Sequence, residues 1–168
     1  GSGKIYSFEP TPATFKVLQK NIHLNEMSNI VRPLNKAVSD KEGTTTFYIN
    51  DTDVCNANSL ASNFNNNKGT GINVAVTSID KLVETEKLSF VNIIKIDAEG
   101  AEYSVLKGSE KTLRKFRPKI ILGLHPKSIE NFGDSLILIY DFISTLGYKI
   151  TYENTIMSKE VFIKKRDI

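Results

Sequence analysis

Several kinds of chemistry are excluded by what this chain has little of. Cys55 is its only cysteine, so there is no disulfide framework and no cysteine-based metal site. Its neighbours Val54 and Asn56 bring no positive charge to activate a thiolate, and Cys55 reads as an inert thiol. No apolar run reaches membrane-spanning length, no signal peptide is visible and no segment repeats. A glycine-rich phosphate loop, a nucleophile elbow and zinc-ligand spacing are all missing. An excess of one charge is missing as well. The 22 Lys and Arg stand against 19 Asp and Glu, and a net charge of +3 is too mild to argue for nucleic acid. Lys164-Lys165-Arg166 is the one basic cluster and reads as a solvated tail. The expectation is a cytoplasmic protein in a reducing compartment, with neither nucleic acid nor membrane as partner.

What is present is a single domain's worth of chain: 168 residues, 40% hydrophobic, enough to bury a core. Lys4 to Phe8 reads as a strand ending at Glu9-Pro10. Thr11 offers an N-cap and Pro12 sits at the first helical position. Phe15, Leu18 and Ile22 recur at helical spacing up to Asn25, and Ile30 to Leu34 is a second strand. Strand, helix and strand make one crossover unit of a parallel sheet. Asn35 to Asp40 reads as a loop. Thr44 to Ile49 and Val74 to Thr77 read as strands that pair antiparallel at an edge, with a long polar loop from Asn50 to Gly71 between them.

Thr77 or Ser78 caps a short helix through Val83, and Phe90 to Ile96 is the central buried strand. One helix carries Ala101, Val105, Leu106, Leu113 and Phe116 and ends before Pro118. Lys119 to Leu124 is a further strand closed by His125-Pro126, and a helix through Ile143 ends at Gly147. Tyr148 to Tyr152 and Val161 to Lys164 are expected to form a terminal hairpin around Glu153-Asn154.

The most informative segment is Ile93-Ile94-Lys95-Ile96-Asp97-Ala98-Glu99-Gly100-Ala101-Glu102, a β-branched run that stops at a carboxylate. In open α/β sheets, ligands bind outside the carboxyl ends of the strands. Asp97 and Glu99 there suit cation binding, hydroxyl positioning or general-base work. Glu102, in the first helical turn, is also explained by the helix dipole. His125 ends the neighbouring strand at the same sheet edge. It is either a proton acceptor near neutral pH or a residue that holds a loop. Glu9 ends the first strand, where an acid can accept hydrogen bonds from ribose hydroxyls or simply favour a helix N-terminus. Asn35 and Ala37 follow the second strand, where an adenine ring would lie if Glu9 holds a ribose. An asparagine there is equally a common turn residue.

Taken together, these pieces resemble the FkbM family of S-adenosylmethionine-dependent methyltransferases. The similar segments are Lys4 to Pro10, Lys20 to Asn25, Ala37 to Gly43, Val76 to Leu82 and, above all, Ile94 to Glu102 continuing through Leu106-Lys107-Gly108. The resemblance implies a Rossmann-like class I methyltransferase fold: a three-layer α/β/α sandwich with a mostly parallel sheet and a C-terminal antiparallel hairpin. It implies S-adenosylmethionine as cofactor, with Glu9 on the ribose hydroxyls and Pro10, Asn35, Ala37 and Asp97 completing the cofactor site. It matches Asp97 and Glu99 to the acids beside the transferring methyl and implies a small-molecule hydroxyl acceptor such as a glycan or polyketide. With His125 from the sheet edge these are the candidate catalytic residues; no metal ligand is assigned, and metal dependence stays open.

Two departures stand out. The family's first strand, which lies between the strand ending at Phe8 and the strand ending at Ile96, and its glycine-rich loop would precede Gly1. The chain is therefore expected to be part of a longer protein, with two strand edges left open. Gly123 also stands where many relatives carry an acid. A non-catalytic remnant that keeps the fold, or a nucleotide-dependent oxidoreductase using Glu9 on a ribose, are the alternatives that residues upstream of Gly1 would separate.

Overall fold

The computed structural model describes residues 3–49 and 70–164. The first crossover unit forms as expected. β1 (Ile5–Phe8) runs into α1 (Pro12–Leu24) and then β2 (Val31–Leu34), with β1 and β2 parallel and in register from Ile5 opposite Val31 to Phe8 opposite Leu34. Pro12 starts α1 where a missing backbone N–H does no harm. Ile22 is the residue of α1 that becomes buried.

The stretch expected to be a loop after β2 contains a short strand instead. β3 (Ala37–Val38) pairs parallel with β5 (Thr70–Thr77), which also pairs antiparallel with β4 (Gly43–Ile49). Two residues are too few for any sequence pattern, so β3 exists only because β5 offers it an edge. The antiparallel pairing of β4 with β5 matches expectation, and β5 begins earlier, at Thr70. The long loop assigned from Asn50 onward lies, up to residue 69, outside the described residues. α2 (Ile79–Thr85) follows, capped by the Ser78 hydroxyl, which accepts from the Lys81 N–H.

β6 (Ile93–Ile96) and β7 (Lys119–Leu122) form a parallel pair with Ile96 opposite Leu122. The segment between them divides into α3 (Glu102–Lys107) and α4 (Glu110–Phe116) rather than forming one helix. Asp80 explains the break. Its carboxylate accepts from the Lys111 N–H at 3.0 Å, the Thr112 N–H at 2.8 Å and the Thr112 hydroxyl at 2.6 Å. These backbone donors at the start of α4 are thus satisfied from outside the helix. Gly108, at the junction, lies so close to the strand β3 exit that an added Cβ would sit 2.1 Å from the Ser39 carbonyl oxygen.

His125 and Pro126 open α5 (Pro126–Asn131), which the sequence pattern did not reveal, and α6 (Leu136–Thr145) follows. The terminal hairpin turns at Glu153-Asn154, both at positive φ, as a two-residue hairpin loop requires. Its strands are β8 (Thr151–Tyr152) and β9 (Thr155–Ile156). The expected return strand from Val161 to Lys164 is instead α7 (Lys159–Phe162), because the Ser158 hydroxyl accepts from the Val161 N–H and starts a helical turn. Phe162 is buried against Tyr140, and Lys159 pairs with Asp141 at 2.6 Å.

The main core lies where Ile94 and Ile96 of β6 meet Leu106, Leu113, Ile129 and Ile139 from four helices. The pairs β1–β2 and β6–β7 are not hydrogen-bonded to each other. Between them lies a cleft of about 1210 Å³ lined along the length of β1 and β6, with Ile5 49% and Ile93 59% exposed beside it. These are the two edges expected to be open. No helix among the described residues is long and apolar enough to cross a membrane.

The close approach at Gly108 makes a definite forecast. Gly108→Ala forces the α3–α4 junction away from Ser39 and lowers stability by about 1–3 kcal/mol, read as a shift in the urea midpoint at constant m.

Candidate active site

The end of β6, the start of α3 and the exit from β7 bring three acidic residues and one histidine together, with a fourth acid, Glu9, across the cleft. β6 stops at Ile96, so Asp97 emerges at the rim of the cleft, and Gly123, which follows β7, lies beside it. The Gly123 N–H donates to the Ile96 carbonyl at 2.9 Å, prolonging the pairing by one bond. A Cβ at position 123 would sit 3.2 Å from Asp97 Oδ1. Glycine at that position gives Asp97 its space. Lys95 holds the other oxygen of Asp97 at 2.9 Å.

The turn after Asp97 is strained. Glu99 adopts φ +48 and Gly100 φ +109, and a non-glycine residue at positive φ costs about 1–3 kcal/mol, which persists only where its surroundings offset it. A Cβ on Gly100 would lie 2.8 Å from the backbone of Ser128 in α5. The turn is therefore pressed against the helix that His125 starts, and Glu99 is carried to the imidazole. His125 Nε2 lies 3.7 Å from both Asp97 Oδ1 and Glu99 Oε1. Its other nitrogen, Nδ1, lies 2.9 Å from Oε1 of Glu102, a side chain with no solvent exposure.

These contacts set the charges. Partial burial pulls the His125 pKa down, but the Glu102 hydrogen bond and the negative charges of Glu99, Glu102 and Asp97 outweigh it, and the net shift is upward. Asp97 moves the opposite way. The Lys95 hydrogen bond holds its carboxyl below the usual range, against partial burial and with help from the Lys95 and His125 charges.

At the other side of the cleft, Glu9 ends β1 and its Oε1 accepts from the Thr11 N–H at 2.7 Å. One oxygen thus serves the start of α1, the helix-terminus role weighed in the sequence. Glu9, Pro10 and Ala37 line the same cleft as Asp97 and Glu99. Neither Asn35 nor His125 is among the lining residues; His125 stands behind Asp97 and Glu99, half-buried. The Asn35 amide donates to the Glu9 carbonyl at 2.8 Å and the Pro10 carbonyl at 3.0 Å, so it fixes the loop that carries Glu9. Asp97, Glu99 and His125 each offer one possible metal-ligand atom, all within 4.8 Å of one another. The Lys95 ammonium already neutralises part of that negative charge.

The sequence reading missed the weight of Glu102. A usable signal existed: Glu102 lies three and four residues before Val105 and Leu106, on the same buried stripe of α3. An acid on an apolar stripe, rather than on the solvent face, is the informative kind of buried polar residue.

Comparison with known proteins places the chain in a family. The model of the methyltransferase FkbM domain matches residues 1–150. The chain belongs to the FkbM methyltransferase family. This FkbM chain is 28% identical over 130 residues to the hexuronic acid methyltransferase AglP of Haloferax volcanii, covering 74% of the chain and 50% of AglP. It is 30% identical over 120 residues to Methyltransferase 1 of Beauveria bassiana, covering 62% and 48%. The FkbM chain thus spans about half the length of these curated relatives. The crystal structure of methyltransferase FkbM from Methylobacillus flagellatus KT superposes with a TM-score of 0.54 at 17% identity, over 84% of this chain and 30% of that one. That likeness concerns the fold, which is the Rossmann-like methyltransferase architecture.

The His125 shift carries a signed consequence for stability. Its raised folded-state pKa contributes stability that is fully present below about 6.5 and is lost as pH rises through the folded value. The stability advantage of the parent over His125→Gln is therefore largest near about pH 5.5 and shrinks towards about pH 8.5 in denaturant titrations. An advantage that grows with pH contradicts this assignment.

Proposed function

We propose that this FkbM chain forms the core of an S-adenosylmethionine-dependent O-methyltransferase acting on a hydroxyl of a small-molecule acceptor, with a sugar favoured over a polyketide. The observation that carries the reading is the placement of Glu9 and Asp97, at the ends of two different strands, on one cleft. The cleft follows the open edges of β1 and β6, where the family's first strand is expected, so the reading rests on the two acidic rims at the strand ends and not on the volume. Acids on both of its rims suit a ligand that bears ribose hydroxyls at one end and a positive charge at the other. The residues present therefore fit the cofactor. The name of AglP supports a sugar acid as acceptor.

When bound, S-adenosylmethionine supplies an electrophilic methyl group on a good leaving group. The chain's own task is then to position the acceptor oxygen and remove its proton. Glu9 offers its carboxylate to the ribose hydroxyls, and Pro10 and Ala37 give the adenosyl end an apolar wall. Asp97 and Glu99 accept hydrogen bonds from the acceptor and favour positive charge at the reacting centre. His125 Nε2 takes the hydroxyl proton. The imidazolium so formed faces Asp97, Glu99 and Glu102, which stabilise it.

The roles separate by measurement on the full-length protein. In calorimetric titration with S-adenosylmethionine, Glu9→Ala weakens binding by about tenfold, as expected for loss of a charged hydrogen-bonding partner. Asp97→Asn leaves that affinity within about threefold and reduces turnover on a hexuronic-acid glycan by roughly 100-fold. Equal affinity of Glu9→Ala and parent removes Glu9 from the site. Turnover abolished by EDTA and restored by magnesium reassigns Asp97, Glu99 and His125 to a cation.

A further inference from the structure

We propose that Glu102 is the positioning residue of this site: its buried carboxylate fixes His125 as the Nδ1–H tautomer and leaves Nε2 as the proton-accepting atom. The functional consequence rests on the reading of His125 as the proton acceptor; the tautomer itself does not.

Three acids compete for the imidazole proton. Asp97 and Glu99 both face Nε2, and an ionised carboxylate can only accept hydrogen bonds. Left to those two, a neutral His125 would carry its proton on Nε2 and have nothing there with which to take another. The distances decide the contest. Nε2 is 3.7 Å from each of the two rim carboxylates, beyond hydrogen-bond length, whereas Nδ1 is 2.9 Å from Glu102 Oε1. The proton belongs on Nδ1, and the gap at Nε2 is open to an acceptor hydroxyl.

Burial of Glu102 supports a dedicated role. Favourable placement near a helix N-terminus needs no burial, yet Glu102 is 0% exposed and its Oε2 has no hydrogen-bond partner among the described residues. A buried carboxylate with one bare oxygen is costly, and a helix that needed only an acid in its first turn would keep it in water. The surroundings also hold Glu102 in place. The Gly100 N–H donates to the same Oε1 at 3.2 Å, and the contact of Gly100 with the Ser128 backbone sets how far α5, and with it His125, stands from α3. The groups facing His125 are Glu102 from α3 and Asp97 and Glu99 from the turn after β6, with Lys95 behind Asp97.

The chain has only two histidines, His23 and His125, which makes the test direct. Long-range proton–nitrogen NMR correlation of the imidazoles, recorded on the protein without cofactor or acceptor at about pH 9, reports which nitrogen carries the proton. The expected result is the Nδ1–H form for His125 in the parent. In Glu102→Gln it shifts to Nε2–H or to a mixture, and the His125 titration midpoint falls, while the His23 signals stay unchanged as internal control. In the methyl-transfer assay the same variant loses about 10–100-fold in kcat with KM for the acceptor within about threefold. An Nε2–H form in the parent overturns the proposal whether or not the variant folds. So does a Glu102→Gln protein whose unfolding changes but whose His125 tautomer and titration do not, because that is the signature of a purely structural acid. A parent that shows the Nδ1–H form yet transfers no methyl group leaves Glu102 in this role and sets aside the functional reading instead.

Discussion

The register of β6 against β7 is the constraint on which the rest depends. Ile96 opposite Leu122 fixes where each strand ends, and those ends place Asp97 beside Gly123 with His125 two residues on. The register is held by burial of one face. Ile94 and Ile96 point into the core formed with α3, α4, α5 and α6, while Ile93 and Lys95 point away from it. A slip of one residue would exchange these faces and carry Asp97 to the other side of the sheet. The site is thus a consequence of how an apolar strand packs, and its acids emerge at the first positions where packing stops.

Around that edge, local strain and close approach are concentrated. Glu99 at positive φ and Gly100 against Ser128 bend the chain sharply enough to bring the turn, α3 and α5 within reach of a single imidazole. Loops under this kind of constraint hold side chains in fixed relation, which proton transfer requires more than it requires any particular residue. On the β1 side the fixing is done by Asn35, whose amide pins the Glu9-Pro10 carbonyls. Glu9 and Asp97 are therefore each held by a short, specific set of hydrogen bonds on either side of the cleft.

Much of this was readable from residues alone, and the misses share a cause. The first crossover unit, the antiparallel edge of β4 and β5, and the acidic ends of β1 and β6 all follow from periodicity, capping and β-branched runs. The family resemblance rests separately on the ordered segments from Lys4 to Gly108. What escaped was determined by contacts distant in sequence. The break between α3 and α4 is enforced by Asp80, 31 and 32 residues before the N–H groups it accepts from. β3 is two residues that become a strand because β5 lies beside them. α7 replaces a strand because Ser158 caps it and Phe162 finds a place against Tyr140. Glu102 looked like an ordinary acid in a first helical turn, and only the packing of α3 against α5 shows that it faces His125. The sequence placed Asp97, Glu99 and His125 at one edge, where the structure also brings them together, but how they divide the work is a tertiary property.

The claim at the centre is that the ends of β1 and β6 form one cofactor site with Glu9 on one rim and Asp97 on the other. The most direct measurement is a crystal structure of the full-length protein with S-adenosylhomocysteine. The account predicts ribose hydroxyls within hydrogen-bond distance of Glu9 and the sulfur on the side of Asp97 and His125. A ligand seated outside this cleft, or turned so that its ribose faces away from Glu9, contradicts it.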